Sequence, residues 1–573
     1  MIETTIENTV PENRPALNLA GTLPYSARFI ELLSRLGFQD EASIEAHLHA
    51  DLNHLTDPFA MQGMKEACER IVLAREKGER ILVHGDYDVD GVTGAAIIAR
   101  TLKLVGADVR VFLPHRSEDG YGVCARAILE AADEGFSLLI TVDCGITAAE
   151  QIRAVRSRGM DVIVIDHHRI PAEGLPPANI ILNPLQESCN YPFKDLSAGG
   201  LAFKLSQALV QEKAFDFLDM AAVSTVCDVA PLKGENRIIV RKGIERLTSR
   251  SNPGFQALSN IAKLGTKVIN AGHIGFAFGP RINAAGRMSS PEIALRLLLT
   301  DNTKEAASLA LALDEENKAR QKEERLTVKE ALSEIERVVN FKRDRVIVVA
   351  SRGWHQGVIG IVASRIVDRY HRPAIVIAVD KGVGKGSGRS IRDFNLYEAM
   401  CACKSLFQEF GGHPQAAGLS MQEEKIDELR IRINEYAVAN SNPEAFVKKV
   451  RVDMDLTLED LDTSLVRELE MLEPHGMGNP RPQFRTNGLK VKTNPIPLTP
   501  LTTEFYVTDG SYVYEALWSG KSDRESSAYN PGVATSADLR KDQSVNIVYS
   551  IKLKIWEGRP RVALEIKDVE ILS

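Results

Sequence analysis

The chain has 573 residues, 44% hydrophobic and 26% charged, with 70 basic against 77 acidic side chains and a net charge of −7. That length exceeds one core and sets an expectation of three to four domains, while no apolar run is long enough to span a bilayer and the acidic, polar start MIETTIENTVPENRP is not a secretory signal. Seven scattered cysteines without a C-x-x-C pair argue for a reducing, cytoplasmic setting and against a disulfide framework or structural zinc, and the net charge says little against a nucleic-acid partner, because a basic groove can coexist with acidic surfaces.

Residues 1–45 read as an N-terminal segment, and 46–300 as the first domain. From about Glu79 to Leu185 short apolar runs (RILVHGD, DVRVFLPH, SLLITVDCG, MDVIVIDHH, NIILNP) alternate with helix-like segments such as GVTGAAIIARTLKLVG. This alternation predicts a doubly wound parallel sheet, in which functional residues gather beyond the carboxyl ends of the strands. Residues 301–342 carry no glycine or proline and place Val328, Leu332, Ile335 and Val339 on one stripe, which predicts a long connecting helix or a helical pair. A second α/β domain is expected over 343–447, from RVIVVAS through VIGIVASRIVDRY and PAIVIAVD to the glycine-rich KGVGKGSGRS and FGGHPQAAG. After that, over 448–573, segments such as TEFYVTD, SYVYEALWS and QSVNIVYSIKLKIW alternate like strands and predict an all-β barrel of the OB type.

The chemistry concentrates in HGDYDVDG. Three alternating aspartates, Asp86, Asp88 and Asp90, follow an apolar strand, and like charges so close cost several kcal/mol each when partly buried unless a cation offsets them. An EF-hand loop would need a helix before it and a glutamate at its twelfth position, where Ile97 stands; a phosphate cradle would not carry three carboxylates. A solvated acidic turn with Gly91 in a left-handed conformation is the plain alternative for a lone motif. The motif is not alone: Asp143 closes SLLITVD, Asp166, His167 and His168 close DVIVIDHH, and Asp228 follows another apolar segment in VCDVAPL. Oxygen and imidazole donors without thiolate suit Mn²⁺ or Mg²⁺, and their number suits two ions about 3.5–4 Å apart, a pair that typically serves phosphoester hydrolysis. Cys144 and Cys227 adjoin these residues and are expected in the core.

HGDYDVDG, TVDCG, DHH and CDVAPL resemble the ordered motifs of the DHH phosphoesterase superfamily, and KGSGRS and FGGHPQAAG resemble its DHHA1 domain. With the glycine-flanked GPRINAAGR, the long helix and the β-rich end, the match runs over about residues 80–570 and is similar to the branch of single-strand-specific 5′→3′ DNA exonucleases. The resemblance implies a DHH domain facing a DHHA1 domain across a cleft, with release of mononucleotides. It implies one ion held by His84, Asp88 and Asp143 and another by Asp90, Asp143, His167 and Asp228. His168 would touch the scissile phosphate, with Asp86 and Asp166 orienting histidines or water, and the choice between His84 and Asp86 as a direct ligand stays open. Arg116, Ser387 and Arg389 would grip a 5′ end, with Arg281, Arg287 and Ser390 as further candidate phosphate contacts and His413 either a site residue or part of a turn; alone, each arginine reads as structural or solvated in a glycine-rich turn. Tyr506, Tyr512, Tyr514, Trp518 and Trp556 offer base stacking, although strand aromatics more often fill a core. Single-stranded DNA is the implied partner, and single-strand-binding protein or a helicase fits the implied role in recombination and mismatch repair. The rival readings are a phosphodiesterase for short oligonucleotides or cyclic dinucleotides, and a non-catalytic nucleic-acid-binding relative, which would have lost ligands.

Overall fold

The computed structural model describes residues 4–8, 23–115, 119–120, 122–499, 502–519 and 538–572. The chain divides into two compact units, one of Glu45–Arg320 with Leu472–Pro480, the other of Met1–Ile44, Gln321–Met471 and Arg481–Ser573. No helix among the described residues is long and apolar enough to cross a membrane, and all seven cysteines are free.

The first unit is built on five parallel strands, β1 (Arg80–Gly85), β2 (Asp108–Phe112), β3 (Phe136–Val142), β4 (Asp161–Ile165) and β5 (Ile180–Leu182), in the order β2-β1-β3-β4-β5. Apolar residues on both faces explain why the runs are continuous rather than alternating. Ile81, Val83, Leu138, Ile140 and Ile163 enter one core, while Leu82, Leu139, Val162 and Val164 enter another. The winding reverses between β1 and β3, and in such sheets the crevice opens beyond that point. Both strands end in carboxylates there.

Helix α1 (Val89–Val105) follows β1. The segment reaches it because Gly91 lets the helix start fold onto the loop: a Cβ there would lie 2.5 Å from Asp86 N and O. Gly91 is therefore required by close approach, not by the left-handed backbone expected of it. Gly91→Ala should destabilise the unit by about 1–3 kcal/mol and weaken Mn²⁺ binding roughly 10–100-fold, read by thermal melting and calorimetry. Unchanged Mn²⁺ affinity would show that the loop has room to relax.

Three further helices of this unit border the crevice: α2 (Ala198–Val210), α3 (Leu218–Cys227) and α4 (Gly279–Met288). The long helix α5 (Thr303–Val338) is a single helix of 36 residues. Its predicted stripe is real: Ile335 is fully buried, with Val328, Leu332 and Val339 packed around the same cluster as Val349, Val376 and Val362.

In the second unit, β6 (Ile347–Arg352), β7 (Ala374–Asp380), β8 (Val383–Arg389), β9 (Phe407–His413) and β10 (Ala416–Gln422) form a mixed sheet ordered β9-β10-β8-β7-β6. The glycine-rich KGVGKGSGRS, expected as a turn, is mostly strand β8. Its glycines leave room for neighbours: a Cβ on Gly386 would meet Leu419 at 2.8 Å, and one on Gly388 would meet Leu396 at 2.6 Å. Helix α6 (Ile359–Tyr370) joins β6 to β7.

The β-rich end forms seven strands, β11 (Met454–Asp455), β12 (Phe484–Val491), β13 (Ile496–Thr499), β14 (Thr502–Thr508), β15 (Val513–Ser519), β16 (Ser544–Trp556) and β17 (Arg559–Ile571). Their order is β11-β12-β16-β17-β15-β14-β13, and an extra β12–β14 pairing curls the sheet toward a barrel. Trp518 is buried and the Tyr514 hydroxyl donates to the Leu461 carbonyl, as core aromatics do. Tyr506 and Tyr512 are exposed, and the Trp556 side chain lies outside the described residues.

Candidate metal centre

The acids collect beyond β1, β3 and β4. Asp86, Asp90, Asp143 and Asp166 are each at most 3% exposed, which excludes a solvated turn. Asp88 and Asp90 are fixed by helix starts. The Asp88 carboxylate caps α1, accepting from Asp90 N at 2.9 Å and Gly91 N at 3.2 Å. Asp90 reaches across to α2, accepting from Ala198 N at 2.8 Å and Gly199 N at 2.9 Å, and the Ser224 hydroxyl of α3 donates to it as well. Aligned N–H groups at a helix start favour negative charge there. Asp143 holds φ +64°, anchored by its N–H on the Ile165 carbonyl at 2.9 Å, and Val229, next to Asp228, holds φ +60°. A left-handed valine is a strained position, and such strain persists where the surrounding structure fixes it. Asp228 does not end a strand, as expected from the apolar run before it, but caps the carboxyl end of α3. A short buried apolar run is ambiguous between strand and helix.

The donors group in threes, with ligand atoms inside each group within 4.8 Å of one another: Asp86, Asp88 and Asp143; Asp90, His167 and Asp228; and Asp143, His167 and His168. His167 Nε2 lies 3.3 Å from Asp143 Oδ1 and 3.6 Å from Asp90 Oδ2, and its Nδ1 is 3.8 Å from Asp228 Oδ2. Donors about 2.1 Å from one octahedral ion stand roughly 3 Å apart, so these spacings fit a divalent cation. The hydrogen bonding agrees: Asp143 Oδ1 and His167 Nε2 are buried without a hydrogen-bond partner, a cost of about 1–3 kcal/mol each if nothing else engaged them.

His84 stands apart from these groups. Its Nε2 accepts from the Cys124 N–H at 3.0 Å and its Nδ1 lies 3.7 Å from Cys144 Sγ. Burial lowers its pKa to about 4, keeping it neutral. The expected place of His84 beside Asp88 and Asp143 is taken by Asp86. His168 Nδ1 is 2.7 Å from Asp166 Oδ1, and Asp166 Oδ2 accepts from Ile146 N at 2.9 Å. Burial opposes the imidazolium, but the Asp166 hydrogen bond and the charges of Asp166, Asp228 and Asp90 outweigh it and hold His168 up at about 9. Burial likewise pushes the Asp166 carboxyl up, and the His168 and backbone hydrogen bonds more than reverse it.

Burial and then the neighbouring acids push Asp88 and Asp143 upward and raise Asp228 to about 8. These raised carboxyls contribute stability to the metal-free fold that is complete below their unfolded value near 3.9 and is lost as pH rises through the folded values. His168 has the same sign: its contribution is complete below about 6.5 and lost as pH passes about 9. Divalent ions should therefore stabilise more at pH 8.5 than at pH 6. We expect the gap in first melting transition between Mn²⁺-loaded and EDTA-treated protein to widen by about 3–6 °C over that range. A constant gap would contradict the crowding of carboxylates.

The predicted phosphate contacts divide. Arg116 lies outside the described residues. Arg281 is an ion-pair residue, its guanidinium 2.9 Å from Asp314 on α5 and donating to the Ala277 carbonyl. Arg287 is half-buried on α4, so GPRINAAGR is helix rather than turn. In the second unit Arg389 Nη1 donates to Ser387 Oγ at 3.1 Å, and the start of α6 comes so close that a Cβ on Gly360 would meet Ser387 Oγ at 3.0 Å and Arg389 Nη2 at 3.1 Å. The Ser390 hydroxyl instead donates to the Phe394 carbonyl, and His413 is exposed at the end of β9.

Sequence reasoning missed the supports. Asn283 on α4 accepts from Val89 N at 3.1 Å, and Gly286 packs against the acidic loop so closely that a Cβ would lie 2.5 Å from the Tyr87 carbonyl oxygen. Gly199 similarly leaves space for Ser224 beside Asp90. The glycine spacing of GPRINAAGR was the available signal, and Gly279 and Gly286 in it serve close packing.

Family models match three parts of the chain: DHH family, N-terminal domain, over residues 80–225; DHHA1 domain over 343–439; and RecJ OB domain over 452–568. The chain is 36% identical over 563 residues to the single-stranded-DNA-specific exonuclease RecJ of Bacillus subtilis, covering 98% of this chain and 70% of that protein. It is similar to the crystal structure of RecJ in complex with Mn²⁺ from Thermus thermophilus, with a TM-score of 0.82 at 30% identity over 99% of this chain and 79% of that one. The corresponding Mg²⁺ complex gives a TM-score of 0.76 at 28% identity, covering 99% and 78%. A doubly wound DHH sheet with paired donor groups, a DHHA1 sheet and an OB module thus occur in one order along one chain, which belongs to the RecJ family of single-stranded-DNA-specific exonucleases.

Proposed function

We propose that the protein is a divalent-metal-dependent exonuclease that hydrolyses single-stranded DNA from its 5′ end to mononucleotides. The observation that carries this reading is the pair of donor groups sharing Asp143, one with Asp86 and Asp88 and one with His167. The same residues fit two ions: Asp86, Asp88 and Asp143 toward one, and Asp90, Asp143, His167 and Asp228 toward the other. When bound, Mn²⁺ or Mg²⁺ lowers the pKa of water and neutralises charge on phosphoryl oxygens.

The chain's own groups do the rest. With Nδ1–H donated to Asp166, His168 keeps Nε2 for the scissile phosphate, where its proton is held against the charge that develops on the leaving oxygen. Asp166 fixes the ring and Asn283 fixes the loop that carries the acids. In the other unit, Ser387, Arg389 and the start of α6 form an anion cradle that supports recognition of a terminal phosphate. The exposed Tyr506 and Tyr512 of the OB module suit stacking on unpaired bases. The boundaries 300, 342 and 447 divide the chain into catalytic domain, connecting helix, DHHA1 domain and OB module. A cytoplasmic enzyme of this kind would receive its strand from single-strand-binding protein or a helicase, in recombination and mismatch repair.

The test is an end-labelled degradation assay with Mn²⁺ or Mg²⁺ on single-stranded and duplex DNA, bearing 5′ phosphate or 5′ hydroxyl. Mononucleotides should appear from the 5′ end of the single strand only, and Arg389→Ala should cut the preference for 5′ phosphate about tenfold. Cleavage of di- and trinucleotides with long strands left intact would replace this reading by a short-substrate phosphodiesterase.

A further inference from the structure

The first unit holds a second concave site, of about 510 Å³, at the far end of α1. Arg100, Lys103 and Leu104 from the last turns of that helix line it. Asp90 stands near the first turn, so about 20 Å of helix separates this cavity from the carboxylate cluster. From the other side Asp219 of α3, Arg246 and Leu299 complete the wall.

Buried Asp219 and part-exposed Arg246 each carry one buried atom with hydrogen-bonding capacity unmet. Asp219 is 1% exposed; its Oδ1 accepts from Met220 N at 2.7 Å, while Oδ2 has no partner. Arg246 pairs through Nη2 with Asp216 at 3.1 Å, but its buried Nε has no partner. A buried acceptor and a buried donor left unmet are each costly, and a ligand that offers both a donor and an acceptor would satisfy them. At the mouth, Arg100 is tied to the Leu298 carbonyl and Asp301, whereas Lys103 is exposed.

We propose that this cavity binds a 5′-mononucleotide, the base edge meeting Asp219 and Arg246, and the phosphate resting against Lys103. Every nucleobase presents an N–H beside a hydrogen-bond acceptor along one edge, the complement of the unmet carboxylate oxygen and guanidinium N–H. The apolar Leu104 and Leu299 give the base plane a surface, and the volume lies within the usual 300–1,000 Å³ of a small-molecule site. The occupant is then the class of molecule that the proposed reaction releases, and only this last link rests on the exonuclease reading.

The test uses the full chain in EDTA without DNA, titrated with dAMP, dCMP, dGMP and TMP by calorimetry and saturation-transfer NMR. Saturable binding is expected, weakened about tenfold by Lys103→Ala and abolished by Leu104→Trp, which fills the cavity from an exposed position. Asp219→Asn should weaken it too; should that buried change impair folding, Leu104→Trp carries the test. Degradation of single-stranded DNA, measured separately at saturating metal and trace product, should be unchanged in Lys103→Ala and Leu104→Trp. Absence of saturable binding, or equal affinity in Leu104→Trp, overturns the proposal whether or not the protein degrades DNA; a failure to degrade DNA with binding intact overturns only the exonuclease reading.

Discussion

Asp143→Ala is expected to remove both divalent-ion binding and nuclease activity, with turnover falling by at least about 10³-fold, some 4 kcal/mol. Asp143 is the one carboxylate that belongs to two of the three donor groups, with Asp86 and Asp88 in one and His167 and His168 in another, and its Oδ1 is buried without a hydrogen-bond partner. Removing it takes a donor from two places at once. The fold should tolerate the change, because burial and the charges of Asp90, Asp88, Asp86 and Asp166 already disfavour the ionised form, and the metal-free variant should melt no lower than the metal-free parent. Isothermal titration with Mn²⁺ and melting in EDTA check both halves. Retained binding of two ions would remove Asp143 from its bridging place.

His168→Ala is expected to behave differently, keeping metal affinity within a few-fold while turnover falls about 10²–10⁴-fold. Its Nδ1 is committed to Asp166 at 2.7 Å and stands 3.9 Å from Asp143, so its role is toward substrate rather than ion. The alanine variant also releases Asp166, whose charge the imidazolium offsets, and His168→Gln separates the two effects by restoring a hydrogen bond without the proton. Equal loss of Mn²⁺ binding in His168→Ala and Asp143→Ala would merge the two roles. Recovery of full turnover by glutamine would show that a proton on residue 168 is not needed.

Much of this site was legible before any coordinates, for a definite reason. Parallel strands buried on both faces write themselves as unbroken apolar runs, and a charge at the end of such a run is conspicuous. Asp86, Asp143 and Asp166 were found that way. Asp228 was found too, but on the wrong kind of element, since Leu218–Cys227 is apolar enough to pass for a strand. That His84 stands apart from the donor groups was not legible: nothing in HGDYDVDG reveals that a backbone N–H forty residues later engages its Nε2. Asn283 and Gly286 escaped for the same reason, being defined by what they touch across the chain. Arg281 adds a contact the sequence did not reveal, its guanidinium between glycines pairing with Asp314.

Asp90 does two jobs, and that complicates how natural variation should be interpreted. Its carboxylate accepts from two backbone N–H groups at the start of α2 and a serine hydroxyl on α3, besides facing His167. A missense allele at position 90 that abolishes nuclease activity therefore cannot be scored as a chemical defect alone, because the same change also unpins two helices. An allele at position 143 carries no such ambiguity. Genetic surveys that rank these aspartates by phenotype will place them together, although one mixes folding with chemistry and the other reports on chemistry alone.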